Sequence, residues 1–257
     1  MQIVSFTNDN NVEIKLINHP FSNVFITRNN HEILFRQINT YLINNSIIKN
    51  NIIDLGAWIG DNSIPWAKNI KDIIYSIDPS PENCDFIKKT CELNDINNIK
   101  IIQSAISDKN QTLITSDNIN HCSFIYNIDK SNSIEVKSVC LDFLHENGNI
   151  NNIGYIHLDV EGMEFLIIKG ADKIINMYNP IITFEQHLDL DNYMDLSNHL
   201  ITKGYNVFLI NEILPGCRYD CRNFIAFPSK IDTEFIINNL NIIIHDNILT
   251  RINSKIL

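Results

Sequence analysis

A mostly parallel α/β sheet with helices on both faces is the fold this sequence predicts. Short apolar runs alternate with helical patterns from Asn51 to about Pro228, and the runs end in turns rich in Gly or acidic residues. Hydrophobic residues make up 44% of the 257, enough for a full core. The length suits one α/β domain with a small extra element. Lys and Arg number 20 against 30 Asp and Glu, a net charge of -10. Such a surface repels phosphate backbones, so no DNA partner is expected. No run approaches the ~18–20 apolar residues of a membrane span. MQIVSFTNDNNVEIK lacks the basic and apolar regions of a signal peptide. The six cysteines, Cys84, Cys91, Cys122, Cys140, Cys217 and Cys221, are too sparse for a disulfide scaffold, so a reduced cytoplasmic protein is expected. Cys217 and Cys221 have a C-x3-C spacing without an evident second ligand pair. The excess of Asn and Ile spread along the chain reflects an AT-rich genome and carries no chemistry.

Residues 1–50 read as a β/α extension. VEIKLI and VFITR alternate as strands do, and HEILFRQINTYLINNSII places Ile33, Leu34, Ile38, Tyr41 and Leu42 at helical spacing. NIIDLGA suits a buried parallel strand, followed by a helix from about Gly60 to Ile70 and a second strand, IIYSID. Ser80 caps the next helix, Pro81 supplies the preset φ of its first position, and Glu82 favours its positive end. That helix runs to Leu93, with Asn94 as a left-handed terminator. IKIIQSAI is the third strand, and 108–140 an irregular insertion with short strands QTLITS, SFIYNI and SIEVKSV. YIHLDV is the fourth main strand, with GMEFLIIKGADKIINMYN as its helix, broken at Gly170. IITFEQ, a helix near Tyr193–Lys203, and strands YNVFLI and NFIAFP close the unit at 51–228. In the extension 229–257, Phe235, Ile236, Leu240, Ile243, Ile244 and Ile248 form one helical stripe. It packs on its own domain or, alternatively, forms a homodimer contact.

Ligands of such sheets sit at the carboxyl ends of the strands. The first strand ends in Asp54-Leu55-Gly56-Ala57-Trp58-Ile59-Gly60, where Gly56 permits a sharp turn and Gly60 a close approach. A dinucleotide loop needs a glycine where Trp58 stands, so the turn is poorly made for phosphate. Asp78, twenty-four residues after Asp54, ends the second strand, where a carboxylate accepts both hydroxyls of a ribose. A solvated acid at a helix start is the alternative. Ser104 and Ala105 end the third strand and suit the edge of an adenine. Asp159, Glu161 and Glu164 follow the fourth strand, and Glu185 and His187 the fifth. No Lys or Arg stands among these groups, so the mouth attracts a cation and repels phosphate. A cationic, phosphate-free nucleoside is S-adenosylmethionine.

IIDLGAWIGDNSIPWA, YSIDPSPENCDFIKKTCELN, IIQSAISD, VKSVCLDFL, IHLDVEGMEFLIIKGA and PIITFEQ, in this order over about 50–190, resemble the FkbM family of class I S-adenosylmethionine-dependent methyltransferases. The most specific part is Asp159-Val160-Glu161-Gly162-x-Glu164 and the Ile167–Ala171 stretch after it. The resemblance implies a Rossmann-like, seven-stranded sheet and methyl transfer, usually to a hydroxyl of a sugar or other small metabolite. It implies a cofactor site of Asp54, Gly56, Ala57, Gly60, Asn62, Asp78, Pro79, Ser104, Ala105 and Asp159. His157 stands where most members carry Lys, and Trp58 where Asn is common.

Methyl transfer to an alcohol needs positioning and a general base. His187 is the first candidate, because an imidazole accepts a proton at neutral pH, with a surface histidine as the alternative. Asp159 and Glu185 complete the catalytic set. Asp159, Glu161 and Glu185 also suit Mg²⁺, although no metal is expected. His157, deeper in its strand, reads as a hydrogen-bonded core residue, and Trp66 as core. His121-Cys122-Ser123 suits an acceptor pocket or a plain loop. An RNA cap-ribose methyltransferase and a non-catalytic cofactor-binding partner subunit are the competing readings; the first needs basic surface, and a net charge of -10 without a Lys at the fourth strand argues against it.

Overall fold

The computed structural model describes residues 3–8, 11–28, 30–116, 133–188, 192–212, 219–244 and 246–253. His121-Cys122-Ser123, SFIYNI and Cys217 lie outside them. The chain opens with a hairpin, β1 (Ile3–Thr7) and β2 (Glu13–Ile17), then α1 (Pro20–Arg28) and α2 (Ile33–Asn44). The alternation in VFITR therefore belongs to a helix. His19 and Pro20 start it, and Phe25 is buried on its inner side while Val24 and Ile26 remain partly open.

From β3 (Asn51–Leu55) the chain alternates: α3 (Ser63–Ala67), β4 (Ile74–Asp78), α4 (Pro81–Leu93), β5 (Ile99–Gln103), β6 (Ala105–Ile106), β7 (Gln111–Ser116), β8 (Ser133–Val139), α5 (Leu141–Glu146) and β9 (Ile153–Leu158). It continues with α6 (Glu164–Lys169), α7 (Asp172–Tyr178), β10 (Ile181–His187), α8 (Asp195–Thr202), β11 (Tyr205–Ile210), β12 (Cys221–Pro228), α9 (Thr233–Ile243) and β13 (Leu249–Arg251). The main sheet has the order β13-β11-β12-β10-β9-β3-β4-β5. Strands β10, β9, β3, β4 and β5 are parallel, while β12 runs antiparallel to both its neighbours. Eight strands, rather than seven, form this sheet among the described residues. The extra one is β13, whose Arg251 pairs with Phe208 of β11.

Strand alternation sorts the apolar residues onto two faces. Ile53, Leu55, Ile156 and Leu158 pack with α5 to α8, through Leu141, Ile167, Ile174 and Leu200. Ile52, Ile74, Tyr155 and Ile181 pack with α2, Trp66 and α9, through Leu34, Ile38, Leu42, Ile236 and Leu240. The stripe of α9 is thus only partly inward: Ile236 and Leu240 are buried, while Phe235 and Ile243 are exposed. The N-terminal hairpin and α1 pack on α4 and the β3–α3 turn, through Leu16, Phe25, Ile59, Phe86 and Ile87.

Local chemistry explains the other boundaries. Ser80 Oγ accepts Asn83 N–H and Pro81 opens α4, as expected, but the left-handed residue past α4 is Asp95, not Asn94. IKIIQSAI splits at Ser104, because β6 leaves the main sheet and pairs with β8 in a three-stranded sheet β6-β8-β7. Gly170 breaks α6 from α7: a Cβ there would lie 2.6 Å from the Ser107 carbonyl oxygen. No helix among the described residues is long and apolar enough to cross a membrane.

Candidate active site at the carboxyl ends of the strands

Parallel registry brings the first strand end to the fourth. Asp54 lies opposite His157 on β9 and opposite Ser76 on β4. Its Oδ1 is 2.8 Å from His157 Nδ1, and its Oδ2 accepts the Ser63 hydroxyl, which lies 2.5 Å from Ser76 Oγ. Asp54 is 1% exposed, so this carboxylate ties the β3–α3 turn to the sheet from below. Burial pulls the His157 pKa down, yet the hydrogen bond and charge of Asp54 outweigh it and raise the pKa above the usual imidazole value. His157 is the core residue its depth suggested.

Gly56 has φ +72°, and a Cβ on it would lie 1.9 Å from the Asp159 carbonyl oxygen. Only a glycine lets the turn pass so close to the end of β9. Ala57 is buried beside it, and Gly60, at φ +78°, abuts Ile64 and Ile87. Trp58 takes a left-handed φ of +46° and donates its N–H to Asp78 Oδ2 at 2.9 Å. Asp78 Oδ1 accepts Ser80 N–H at 2.8 Å and the Asn83 amide at 3.0 Å. Burial raises the Asp78 pKa to about 6, against these three donors. Pro79, half-buried, separates Asp78 from the α4 cap. Ser104 N–H is spent on the Asp78 carbonyl, and Ala105 is buried at the start of β6. Asn62 Oδ1 accepts Arg36 Nη1 at 2.9 Å.

The second half of the site gathers at β9 and β10. Asp159 and Glu161 have side chains 25% and 35% exposed, while Glu185 and His187 are at 3% and 8%. His187 Nε2 lies 3.3 Å from Glu161 Oε2 and 3.8 Å from Glu185 Oε2, and Nδ1 lies 3.2 Å from Asp220 Oδ2. Ligand atoms of Asp159, Glu161 and Glu185 all fall within 4.8 Å of one another. Burial and the charge of Glu32 raise the Asp159 pKa to about 6, Arg28 opposing them. Glu164 accepts Val160 and Gly162 N–H groups at 3.2 Å each, fixing the turn where Glu161 takes φ +52°. Burial raises the Glu164 pKa to about 7.

The mouth is less purely acidic than its strand ends. Two arginines enter from the N-terminal extension. Arg28 Nη2 is 2.9 Å from Glu32 Oε2 and 3.9 Å from Asp159 Oδ2, its Nε is 3.6 Å from Asp61 Oδ2, and its guanidinium lies 6.0 Å from the Trp58 ring centre. Burial pulls the Arg28 pKa down, but the carboxylates of Glu32, Asp61, Asp159 and Glu185 together raise it. Arg36 holds Asp61 at 2.8 Å, and with Arg28 it lowers the Asp61 pKa despite burial. Arg28, Glu32, Arg36, Asp61 and Asp220 were not singled out in the sequence. The i, i+4, i+8 spacing of Arg28, Glu32 and Arg36 is a visible signal, although Glu32 itself is left-handed and interrupts the helices.

A cationic nucleoside fits these groups. Asp78 Oδ2 accepts one donor among the described residues and retains a second lone pair. Asn83 Oδ1, on the amide that holds Asp78, is buried without a hydrogen-bond partner among them. Both are acceptors suited to hydroxyl donors.

Sheet order, the glycine turn after β3 and the acid closing β4 define the class I methyltransferase fold. The family model for the methyltransferase FkbM domain matches residues 54–214, well over half of the chain. The chain belongs to the FkbM family of S-adenosylmethionine-dependent methyltransferases. Among solved structures, methyltransferase FkbM from Methylobacillus flagellatus KT is similar over 69% of this chain and 43% of its own, at 16% identity and TM-score 0.51. This chain thus spans less than half the length of that protein. A precorrin-6y C5,15-methyltransferase from Geobacter metallireducens GS-15 is similar at 14% identity and TM-score 0.43, over 70% of this chain and 81% of its own. A ribosomal protein L11 methylase from Lactobacillus delbrueckii subsp. bulgaricus is similar at 12% identity and TM-score 0.42, over 75% and 77%. No curated protein matches the chain.

Proposed function

We propose that the protein transfers a methyl group from S-adenosylmethionine to a hydroxyl of a sugar, glycan or other small acceptor. The observation that carries this reading is a pair of partly open carboxylates, Asp159 and Glu161, on the segment whose Asp159 carbonyl abuts the glycine turn at Gly56. Bound there, the cofactor supplies an electrophilic methyl group for in-line displacement. Asp78 and Asn83 would hold its ribose hydroxyls, and the turn Gly56–Gly60 would seat it against β3. The acidic surroundings of Asp159 favour its sulfonium over a phosphorylated nucleotide.

Glu161 takes the acceptor proton. Among the four acid and imidazole groups at β9 and β10 its side chain is the most exposed, and His187, 3.3 Å behind it, orients the carboxylate. His187 and Glu185 act from the buried layer. Asp159, held by Arg28, positions the acceptor hydroxyl. A mouth rich in carboxylates disfavours anionic acceptors, which agrees with a neutral sugar.

The test is transfer of a tritiated methyl group to a panel of neutral sugars and glycans, with nucleotide-sugars as the anionic comparison expected to accept less. Glu161→Gln is expected to lower kcat about 100-fold or more, with S-adenosylhomocysteine affinity unchanged. Wild-type turnover in that variant would refute the assignment, and methylation confined to amines would refute the hydroxyl acceptor.

A further inference from the structure

Behind Glu161 the imidazole of His187 meets a thiol. His187 pairs in register with Cys221 across the antiparallel β10–β12 ladder, and Glu185 stands two residues earlier on the same face of β10. One ring nitrogen of His187, Cys221 Sγ and one Glu185 oxygen lie within 4.8 Å of one another, and all three residues are buried. The geometry points to a binding site for a divalent transition metal of the zinc class, held by Glu185, His187 and Cys221.

Spacing supports it first. His187 Nδ1 is 3.5 Å from Cys221 Sγ. With Zn–N near ~2.0–2.1 Å and Zn–S near ~2.3 Å, tetrahedral coordination sets those two ligands about 3.5 Å apart. The outer shell follows. With Nδ1 facing the thiol, Nε2 faces Glu161 Oε2 at 3.3 Å, nearer than Glu185 Oε2 at 3.8 Å, and a metal-binding histidine usually donates its other N–H to such a carboxylate. The donor set then selects the metal: imidazole and thiolate suit zinc, whereas Mg²⁺ takes oxygen ligands. Asp220 Oδ2, hydrogen-bonded to Nδ1 at 3.2 Å, gives up that bond when the metal takes the nitrogen, and a divalent cation offsets the negative charge of Asp220 and Asp159. On binding, the Cys221 thiol gives its proton to solvent and the sulfur ligates as thiolate.

The triad shares His187 and Glu185 with the layer behind Glu161, but zinc binding there does not require methyl transfer. Full-length protein, stripped with a chelator, is titrated with zinc chloride against a chromophoric chelator and, separately, with cobalt chloride. One zinc per chain is expected, with a near-ultraviolet thiolate-to-cobalt charge-transfer band and no competition from magnesium chloride. Cys221→Ser and His187→Gln, on different strands, each weaken zinc at least tenfold, while Cys84→Ser does not. Circular dichroism and S-adenosylhomocysteine affinity in the same preparations report folding. If one variant fails to fold, the other and the wild-type cobalt spectrum decide. A folded wild type that binds S-adenosylhomocysteine but no zinc overturns the inference and leaves methyl transfer standing. Folded variants that bind zinc like wild type overturn it too.

Discussion

Asp78→Asn separates what the end of β4 does for folding from what it does for the ligand. Asp78 is 5% exposed, and burial lifts its pKa from 3.8 to about 6. A rise of about two units costs the ionised form about 3 kcal/mol in the folded state. The sign follows from linkage. The folded carboxyl holds its proton more tightly than the unfolded one, so the cost is absent below about pH 4 and complete above about pH 6 to 7. About 1.4 kcal/mol of it develops between pH 5 and pH 8. Asparagine never ionises and avoids this cost, but its NH₂ faces the Trp58 N–H where an acceptor stood, a loss of about 1–3 kcal/mol at any pH. Relative to wild type, the variant therefore gains about 1.4 kcal/mol between pH 5 and pH 8. Urea denaturation at the two pH values reads this directly. At pH 8 the same variant should bind S-adenosylhomocysteine at least tenfold more weakly, about 1.4 kcal/mol. A stability difference independent of pH would refute the buried-charge argument.

Three further perturbations address the turn, the pair beneath it and the arginine above it. Gly56→Ala meets the Asp159 carbonyl at 1.9 Å and adds a left-handed penalty of about 1–2 kcal/mol. A lower Tm and lost cofactor binding are expected, and wild-type values for both would contradict the close approach. His157→Ala leaves Asp54 buried without its imidazole, a cost of about 3–5 kcal/mol by denaturant titration. Because the folded His157 pKa is raised, its charge contributes fully below about pH 6.5 and is lost as pH rises through the folded value, so the cost should shrink above it. Arg28→Ala removes a cation that lowers the Asp159 pKa, so the acidic limb of kcat/KM should move to higher pH, with Arg28→Lys intermediate. An unmoved profile would deny the Arg28–Asp159 coupling.

Much of the architecture was legible because local signals agreed with the tertiary outcome. The runs at Asn51–Leu55, Ile74–Asp78 and Ile181–His187 are buried on both faces and place aliphatic residues on each, as strands covered by helices do. The Ser80-Pro81 start of α4 is decided within four residues. VFITR misled because period two over five residues is too short to outweigh the packing of Phe25 against the hairpin. β13 has three residues and exists only through its pairing with β11. The acids at the strand ends were visible, but which acids the Arg28 and Arg36 spacing would reach was not. Arg28 and Arg36 reach Asp61 and Asp159 across the fold, and Asp220 reaches His187 from the turn before β12. Nor does composition reveal that Asp54 turns inward to His157 and Ser63 while Asp159 stays at the mouth.

The measurement that bears most directly on the account is calorimetric titration of the full-length protein with S-adenosylhomocysteine. Micromolar binding at one ligand per chain, lost in Gly56→Ala and weakened in Asp78→Asn, is the predicted result. A folded wild-type protein that takes up no S-adenosylhomocysteine would contradict the assignment of the β3 and β4 strand ends as the cofactor site.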